Sequence, residues 1–343
     1  MEFNAQDSSG LNFVMENVNF LKNNEFFNDY VKGYTLLGFY INPQLRWKIT
    51  PKTKLTGGVH LLKYSGVSRF QEIKPLFRIE QNLTDSLKLI MGNIFQNHNH
   101  HFIDPLYHSE KSLNEPLETG IQFLFKRPFL NADIWLNWKN FILYNAPSQE
   151  KFEAGAYLSP RVAENSKFSA HVPVQFLARH KGGQIDTTGK PLQSIINVAA
   201  GPKLAFKIQS PFLNKIELES YFAKYKDISP EPQLASHQGE AAYNRISASR
   251  DNWFLGIAYW YANKFIPISG NPIYSTLSSQ DNLTPESREL ITGELRYTYH
   301  YKKATLIFGI QTYFDPIQNE TDHSFGLYLK LSPEVFLTKL TAE

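Results

Sequence analysis

The chain has 343 residues, 42% hydrophobic and 14% aromatic, with 35 basic against 32 acidic side chains and no cysteine. The missing cysteines exclude disulfide staples, thiolate metal sites and cysteine nucleophiles. A net charge of +3 is too even for a protein that recruits nucleic acid by electrostatics.

With 26 Phe and 18 Tyr against only 3 Met, the composition favours strands over helices. No apolar run reaches the roughly 18–20 residues of a transmembrane helix. The opening MEFNAQDSSG lacks the basic start and apolar core of a signal peptide.

Alternation with period two runs through most of the chain. It predicts strands at 11–22, 33–50, 54–66, 71–83, 86–98, 117–128, 130–144, 150–162, 166–181, 193–208, 214–227, 239–250, 252–264, 290–301, 303–314 and 322–337, with 11–22 and 239–250 the least regular. In EIKPLFRIE, Glu72, Lys74, Arg78 and Glu80 alternate with Ile73, Pro75, Phe77 and Ile79. KFSAHVPVQF sets Lys167, Ser169, His171 and Gln175 against Phe168, Ala170, Val172, Val174 and Phe176. ELRYTYHY and SFGLYLKL repeat the pattern near the C-terminus.

The connections alternate too. TPKTK, LTDS, RPFL, AENS, QSPFLN, SRDN and YKKA are short; NNEFFNDYVKG, SGVSRF, the 99–116 stretch, NAPSQ, KGGQIDTTGKPLQ, ISPEPQLASHQG, 265–289 and DPIQNETDH are longer. One trimmed end and one elaborated end are the mark of a transmembrane β-barrel, with short periplasmic turns and long extracellular loops. The turn after 33–50 is short, so a strand must precede it, and 11–22 supplies that strand. The count becomes about sixteen, with both termini periplasmic. No linker interrupts the pattern, so residues 1–10 are read as an N-terminal periplasmic tail and 11–343 as one barrel domain.

Three features set the apolar face against lipid rather than a soluble core. The strands run to roughly 11–16 residues, where soluble strands cluster near about 5–6. Tyr34, Trp47, Phe70, Phe95, Tyr144, Phe152, Tyr225, Trp253, Tyr261, Tyr301 and Tyr313 fall near strand ends, as interfacial girdles do. The other face carries charge of both signs. The fold expected is all-β: a single antiparallel up-and-down transmembrane barrel.

On that ground a resemblance acquires meaning. NEFFNDYVKGYTLLGF, HFIDPLYHSEKSLNEPLETGIQF and HKGGQIDTTGKPLQ resemble segments of a little-characterised family of Gram-negative outer-membrane β-barrel proteins, porin-like in size. The resemblance runs along nearly the whole chain. It implies a cell outer membrane location and a cleaved signal, so the chain is read as a mature one. It assigns no substrate and no catalytic residue.

The lumen face is expected to include Glu72, Lys74, Arg78, Glu80, Glu118, Lys126, Glu153, Lys167, His171, Arg179, Glu294, Arg296, His300 and Lys330. Such a face holds water and passes small hydrophilic solutes, and sixteen strands are wide enough for a channel. A porin-like channel is the function expected, and a plugged accessory subunit of a larger outer-membrane transport or secretion complex is the alternative. A hydrolase requires a nucleophile–base pair at the lipid face or rim. His171 and His180 lie near Ser169, but His180 falls on the opposite face from His171, and no G-x-S-x-G is present. No enzyme and no cofactor are expected. The partners expected are outer-membrane lipid and another outer-membrane protein or a second copy, with no nucleic acid.

The stretch QNHNHHFIDPLYHSEK holds four of the ten histidines. His98, His100, His101 and His108, with Asp104 and Glu110, invite a metal reading, but their spacing matches no established ligand pattern. The apolar FIDPLY within it favours a loop tucked into the barrel mouth, with His100, His101, Phe102, Asp104, Tyr107 and His108 forming a constriction and no metal bound. HKGGQIDTTGKP is read as a turn-rich extracellular loop rather than a sugar or calcium site. The 265–289 stretch has room for a short helix or a partner contact.

Overall fold

A computed structural model describes residues 10–278 and 287–339, except the side chains of residues 97 and 98. Among the described residues, nineteen strand segments form one antiparallel sheet. They are β1 (Gly10–Glu25), β2 (Tyr34–Thr50), β3 (Thr53–Tyr64), β4 (Glu72–Asn82), β5 (Leu87–Asn93), β6 (Thr119–Arg127), β7 (Leu130–Asn140), β8 (Lys151–Glu164), β9 (Phe168–His171) and β10 (Val174–Lys181). Then follow β11 (Gln193–Ala200), β12 (Lys203–Lys207), β13 (Lys215–Asp227), β14 (Gln238–Arg250), β15 (Trp253–Asn263), β16 (Ser287–Tyr301), β17 (Ala304–Asp315), β18 (Glu320–Leu331) and β19 (Glu334–Lys339).

Three staves are each broken in two, at Pro173, Pro202 and Pro333, where the missing N–H interrupts the ladder. Each broken pair shares a neighbour: β8 pairs β9 and β10, β13 pairs β11 and β12, and β1 pairs β18 and β19. Nineteen segments less three breaks leave sixteen staves. Because β1 also pairs β2, the sheet has no edge and closes into a barrel.

Boundaries differ from the alternation in instructive places. The strand expected at 86–98 stops at Asn93, because Ile94 and Phe95 leave the wall for the interior. The strand expected to reach 144 stops at Asn140, and Phe141, Leu143 and Tyr144 stand exposed in the loop beyond. DPIQNETDH is no long loop: four residues, 316–319, turn the chain from β17 into β18. Residues 1–9, and with them nearly all of the expected tail, lie outside the described residues.

The outward face is apolar. Phe77, Ile246, Leu255 and Ile257 are each about half exposed, at 52%, 51%, 51% and 52%. A water-exposed band of that kind would be an association surface, whereas on a closed barrel it is the hydrocarbon contact. Trp253, Tyr261 and Tyr301 face outward as a girdle requires. Tyr225, Tyr313 and Tyr34 do not: strand parity turns them inward, where Tyr225 and Tyr313 are buried in the core and Tyr34 donates its hydroxyl to Glu110, and Phe95 has left its strand to pack against that core.

The interior also departs from the expected charged lumen. Toward the long-loop end, inward-facing Ile90, Trp135, Leu177, Ile195, Tyr225, Trp260 and Leu290 form an apolar core. It is filled by two loops folding down from the rim. The first, 94–118, contributes Phe102, Ile103, Leu106 and Tyr107; the second, 264–278, contributes Phe265, Ile266, Ile268, Ile273 and Tyr274. In the second, where the sequence left a short helix or a partner contact open, the described residues hold a 3-10 turn at Pro272–Tyr274 with Ile273 and Tyr274 buried; residues 279–286 lie outside the described ones.

The two loops are stitched to each other. Tyr107 and Ser269 form a parallel bridge, His108 N–H donates to the Ser269 carbonyl at 2.9 Å, and Asn271 N–H donates to the Asp104 carbonyl at 2.9 Å. A Cβ on Gly270 would fall on the Pro105 carbonyl oxygen. Gly270→Val is therefore expected to force the loops apart at a cost of about 1–3 kcal/mol, read as faster amide exchange at residues 104–108.

Candidate functional site

Placing loop backbone inside a barrel strands its N–H and C=O groups unless the wall answers them. Three fully buried amides do so. Gln175 Oε1 accepts from Ile103 N–H at 2.9 Å, and Gln122 both accepts from Phe95 N–H and donates to its carbonyl at 2.9 Å. Asn197 accepts from Ile268 N–H at 2.8 Å and donates to the Ile266 carbonyl at 3.1 Å. Sequence reasoning missed all three, because a lone inward amide looks like any other polar residue on a barrel strand.

His100 anchors the first loop. It closes a one-turn helix at Asn97–His100, and with His101 it adopts a left-handed conformation, φ 51° and 65°. Its ring stacks on Trp135 at 4.3 Å, with Nδ1 2.9 Å from Asp133 and Nε2 2.7 Å from Glu118. Tyr107 donates its hydroxyl to Glu118, and Gln96 donates to the same carboxylate at 3.1 Å. Burial alone would lower the His100 pKa. The Glu118 charge and the bonds to Asp133 and Glu118 outweigh it and raise it to about 9. The imidazole is a cation between two carboxylates, not a free ligand.

A second network ties both loops to the wall. Glu115 of the first loop meets Lys111 at 3.1 Å and Lys139 of β7 at 2.7 Å. Lys139 reaches Glu153 of β8 at 3.4 Å, and Glu153 takes Arg179 of β10 at 2.8 Å and the Ser269 hydroxyl of the second loop at 2.6 Å. Burial would raise the Glu115 pKa, but the two lysines hold it down at about 2.

The remaining expected lumen residues scatter. Arg78 covers the Phe95 ring at 3.9 Å, Glu72 pairs with Lys74 at 2.8 Å, and Glu80 pairs with Lys88 at 3.3 Å. Glu294 holds Arg245 at 2.5 Å and Arg296 at 3.3 Å, and His171 meets Ser159 at 3.3 Å. His300 contacts Thr305 at 3.0 Å at an exposed strand end; Lys126 is exposed, and Lys167 lies in the turn before β9.

Of the expected constriction, Phe102 and Tyr107 are buried, Asp104 accepts from Asn271 and Ser109, and His101 tilts over Tyr157. Below the plug lie two cavities of about 270 Å³ each. Asp104, Lys203, Glu219, Arg245 and Glu294 line one; Lys22, Glu110, His108, Arg296 and Lys330 line the other. Among the described residues no group of three His, Asp or Glu is arranged to hold a metal ion; the side chain of His98 lies outside them.

A different arrangement stands on the outside. In register across four strands near the long-loop rim lie Trp138, Phe152, His180 and Ser194, all on the outward face. Trp138 packs on Phe152 at 5.3 Å, Phe152 stacks on the His180 ring at 5.0 Å, and His180 Nδ1 lies 2.8 Å from the Ser194 hydroxyl. The sequence placed His180 on the face opposite His171 but gave Ser194 no role. The available signal was the hairpin register that carries residue 180 across the 182–192 loop to residue 194.

A family model described as lipid A 3′-O-deacylase-type matches residues 3–340. That description names an enzyme activity, and it overturns the expectation that the chain is no enzyme: absence of a linear nucleophile motif does not bear on a pair assembled across strands. No curated protein matches. Among solved structures, a loop-deletion form of OmpT from Vibrio cholerae is similar at TM-score 0.56 and 11% identity, over 95% of this chain and 100% of that one. The anion-selective porin of Comamonas acidovorans matches at 0.53 and 9%, over 96% and 100%. OprD of Pseudomonas aeruginosa matches at 0.51 and 8%, over 95% and 94%. At such identities the likeness is one of fold: the outer-membrane barrel.

Proposed function

We propose, from the premise that this chain belongs to the lipid A 3′-O-deacylase-type family, that it hydrolyses an ester-linked acyl chain of an outer-leaflet lipid. The single observation that carries this reading is the match along residues 3–340. The barrel supports it physically. Two loops fill much of its loop-side lumen with an apolar core, while its wall stands in the leaflet where acyl chains lie. The purified protein in mixed micelles with lipid A is expected to release a fatty acid, seen by mass spectrometry as the loss of one acyl chain. Lipid A recovered intact with folded protein overturns the reading.

A second reading is favoured by the charged cavities beneath the plug and by the porin folds it resembles: a channel for small hydrophilic solutes, constricted by the first loop. In planar bilayers it predicts small ohmic steps that enlarge when residues 99–116 are deleted. Silence from both proteins would refute it and leave the plugged accessory subunit, which predicts a co-purifying outer-membrane partner. The homo-oligomer belongs to the channel reading, since OmpT of Vibrio cholerae matches in a trimer form as well.

A further inference from the structure

We infer that Ser194 and His180 form the nucleophile–base pair of an ester-hydrolysing site on the outer wall, for a phosphate-bearing acylated lipid. This inference deepens the deacylase reading and rests on it.

The two residues sit directly opposite each other on β10 and β11, each two positions from the loop that joins them. That places them at the membrane–water boundary, where headgroup esters lie. The Ser194 hydroxyl lies 2.8 Å from His180 Nδ1, within reach for proton transfer. The Phe152 ring, stacked at 29° to the imidazole, fixes the plane of the base. On the other side, Ile228 N–H donates to the Ser194 carbonyl at 2.8 Å, and Ser194 N–H donates to the Ser229 hydroxyl at 2.8 Å, so the nucleophile rides on a tied backbone.

Two further features describe what would bind. Toward the membrane interior the next outward pair is Ala154 and Ala178, and below it Ala156 stands opposite Phe176. Three alanines between Phe152 and Phe176 keep the side chains of this stretch of wall small, and an acyl chain would lie against them. On β13, Lys226 pairs with Ile196 and Lys224 with Val198, both lysines outward and exposed. Lys226 is thus the diagonal neighbour of Ser194, about 7–8 Å away. Lysine is a strong partner for phosphate, and an outward lysine in a lipid-facing wall belongs at the headgroup level.

The chemistry balances without a metal or co-reactant other than water. With its proton on Nε2, His180 accepts the Ser194 hydroxyl proton at Nδ1 as Oγ bonds to the ester carbonyl carbon. The tetrahedral adduct collapses, the ester C–O bond breaks, and the leaving sugar oxygen takes that proton from His180. Water then attacks the acyl-serine, giving its proton to Nδ1. Collapse frees the fatty acid, and the proton returns to Ser194 Oγ.

The test uses the full chain in detergent with lipid A and, separately, with a fluorophosphonate probe that esterifies activated serines. Ser194→Ala is expected to lower turnover by about 10³-fold or more, and His180→Gln by about 10²–10⁴-fold. The probe should label the wild type at Ser194, as mapped by peptide mass spectrometry, and lose that label in both variants. Lys226→Ala should raise KM several-fold with kcat retained. Ser169→Ala, on the inward face of β9, serves as the unaffected control. Folding is checked by heat-modifiable migration in SDS gels. Turnover that survives Ser194→Ala overturns the site while the deacylase reading stands. A labelled Ser194 without lipid turnover keeps the site and refutes that reading. Absence of labelling at Ser194 in folded wild-type protein overturns the site whatever the lipid result.

Discussion

Replacing His100 by alanine is expected to free the first loop from the barrel. The wild-type ring is a buried cation between Glu118 and Asp133, and removing it leaves two carboxylates inside an apolar wall. Breaking a buried ion pair in this way costs about 3–5 kcal/mol. The lower end applies, because Glu118 keeps Tyr107 and Gln96 as donors and Asp133 keeps Gln122 at 2.7 Å. The measurement is limited proteolysis together with amide exchange across 99–116. Unchanged protection in His100→Ala would show that apolar packing of Phe102, Leu106 and Tyr107 holds the loop without the ion pair.

The same ring gives the plug a pH window. His100 is raised from 6.5 to about 9 on folding, so its contribution is complete below about 6.5 and is lost as pH rises through about 9. Glu115 is lowered from 4.5 to about 2, so its contribution is complete above about 4.5 and is lost as pH falls toward 2. Protection of the loop should therefore be greatest between about 4.5 and 6.5. Because the imidazole stacks on Trp135 at 4.3 Å, the alkaline limb should appear as a change in tryptophan fluorescence centred near 9. That limb should be missing from His100→Ala.

The barrel was legible because a closed antiparallel sheet writes itself as local rules. Side-chain alternation has a fixed period, and each stave must reverse the last, so loop-length parity corrected even the irregular Gly10–Glu25 strand. The interior was not legible. Whether an inward residue meets water or another loop depends on where residues 94–118 and 264–278 end up, and nothing local to Ile90, Leu177 or Trp260 says so. The apolar FIDPLY of the histidine stretch packs into the interior core, whereas the role of His100 depends on Asp133, thirty-three residues away on another strand. The outward His180–Ser194 pair hid for the same reason: it is made by a register, not a motif.

Glu153 provides the sharpest test of whether the two loops form one plug. Its carboxylate is fully buried, with Arg179 at 2.8 Å, Lys139 at 3.4 Å and the Ser269 hydroxyl at 2.6 Å. Glu153→Ala leaves two cations facing each other without their shared anion and is expected to cost about 3–5 kcal/mol. Glu153→Gln keeps an acceptor for Ser269 and should cost less. Ser269 is also bridged to Tyr107, and Lys139 also holds Glu115, so the first loop is coupled to Glu153 by two independent routes. If the loops are released together, His100→Ala and Glu153→Ala are not additive: once either has opened the plug, the second removes an interaction already lost. The double variant should then fall short of the sum by about 0.5–3 kcal/mol in chemical unfolding, the range seen for residues in one network. Additivity to within about 0.5 kcal/mol would instead make the loops two independent lids, each anchored to its own side of the wall.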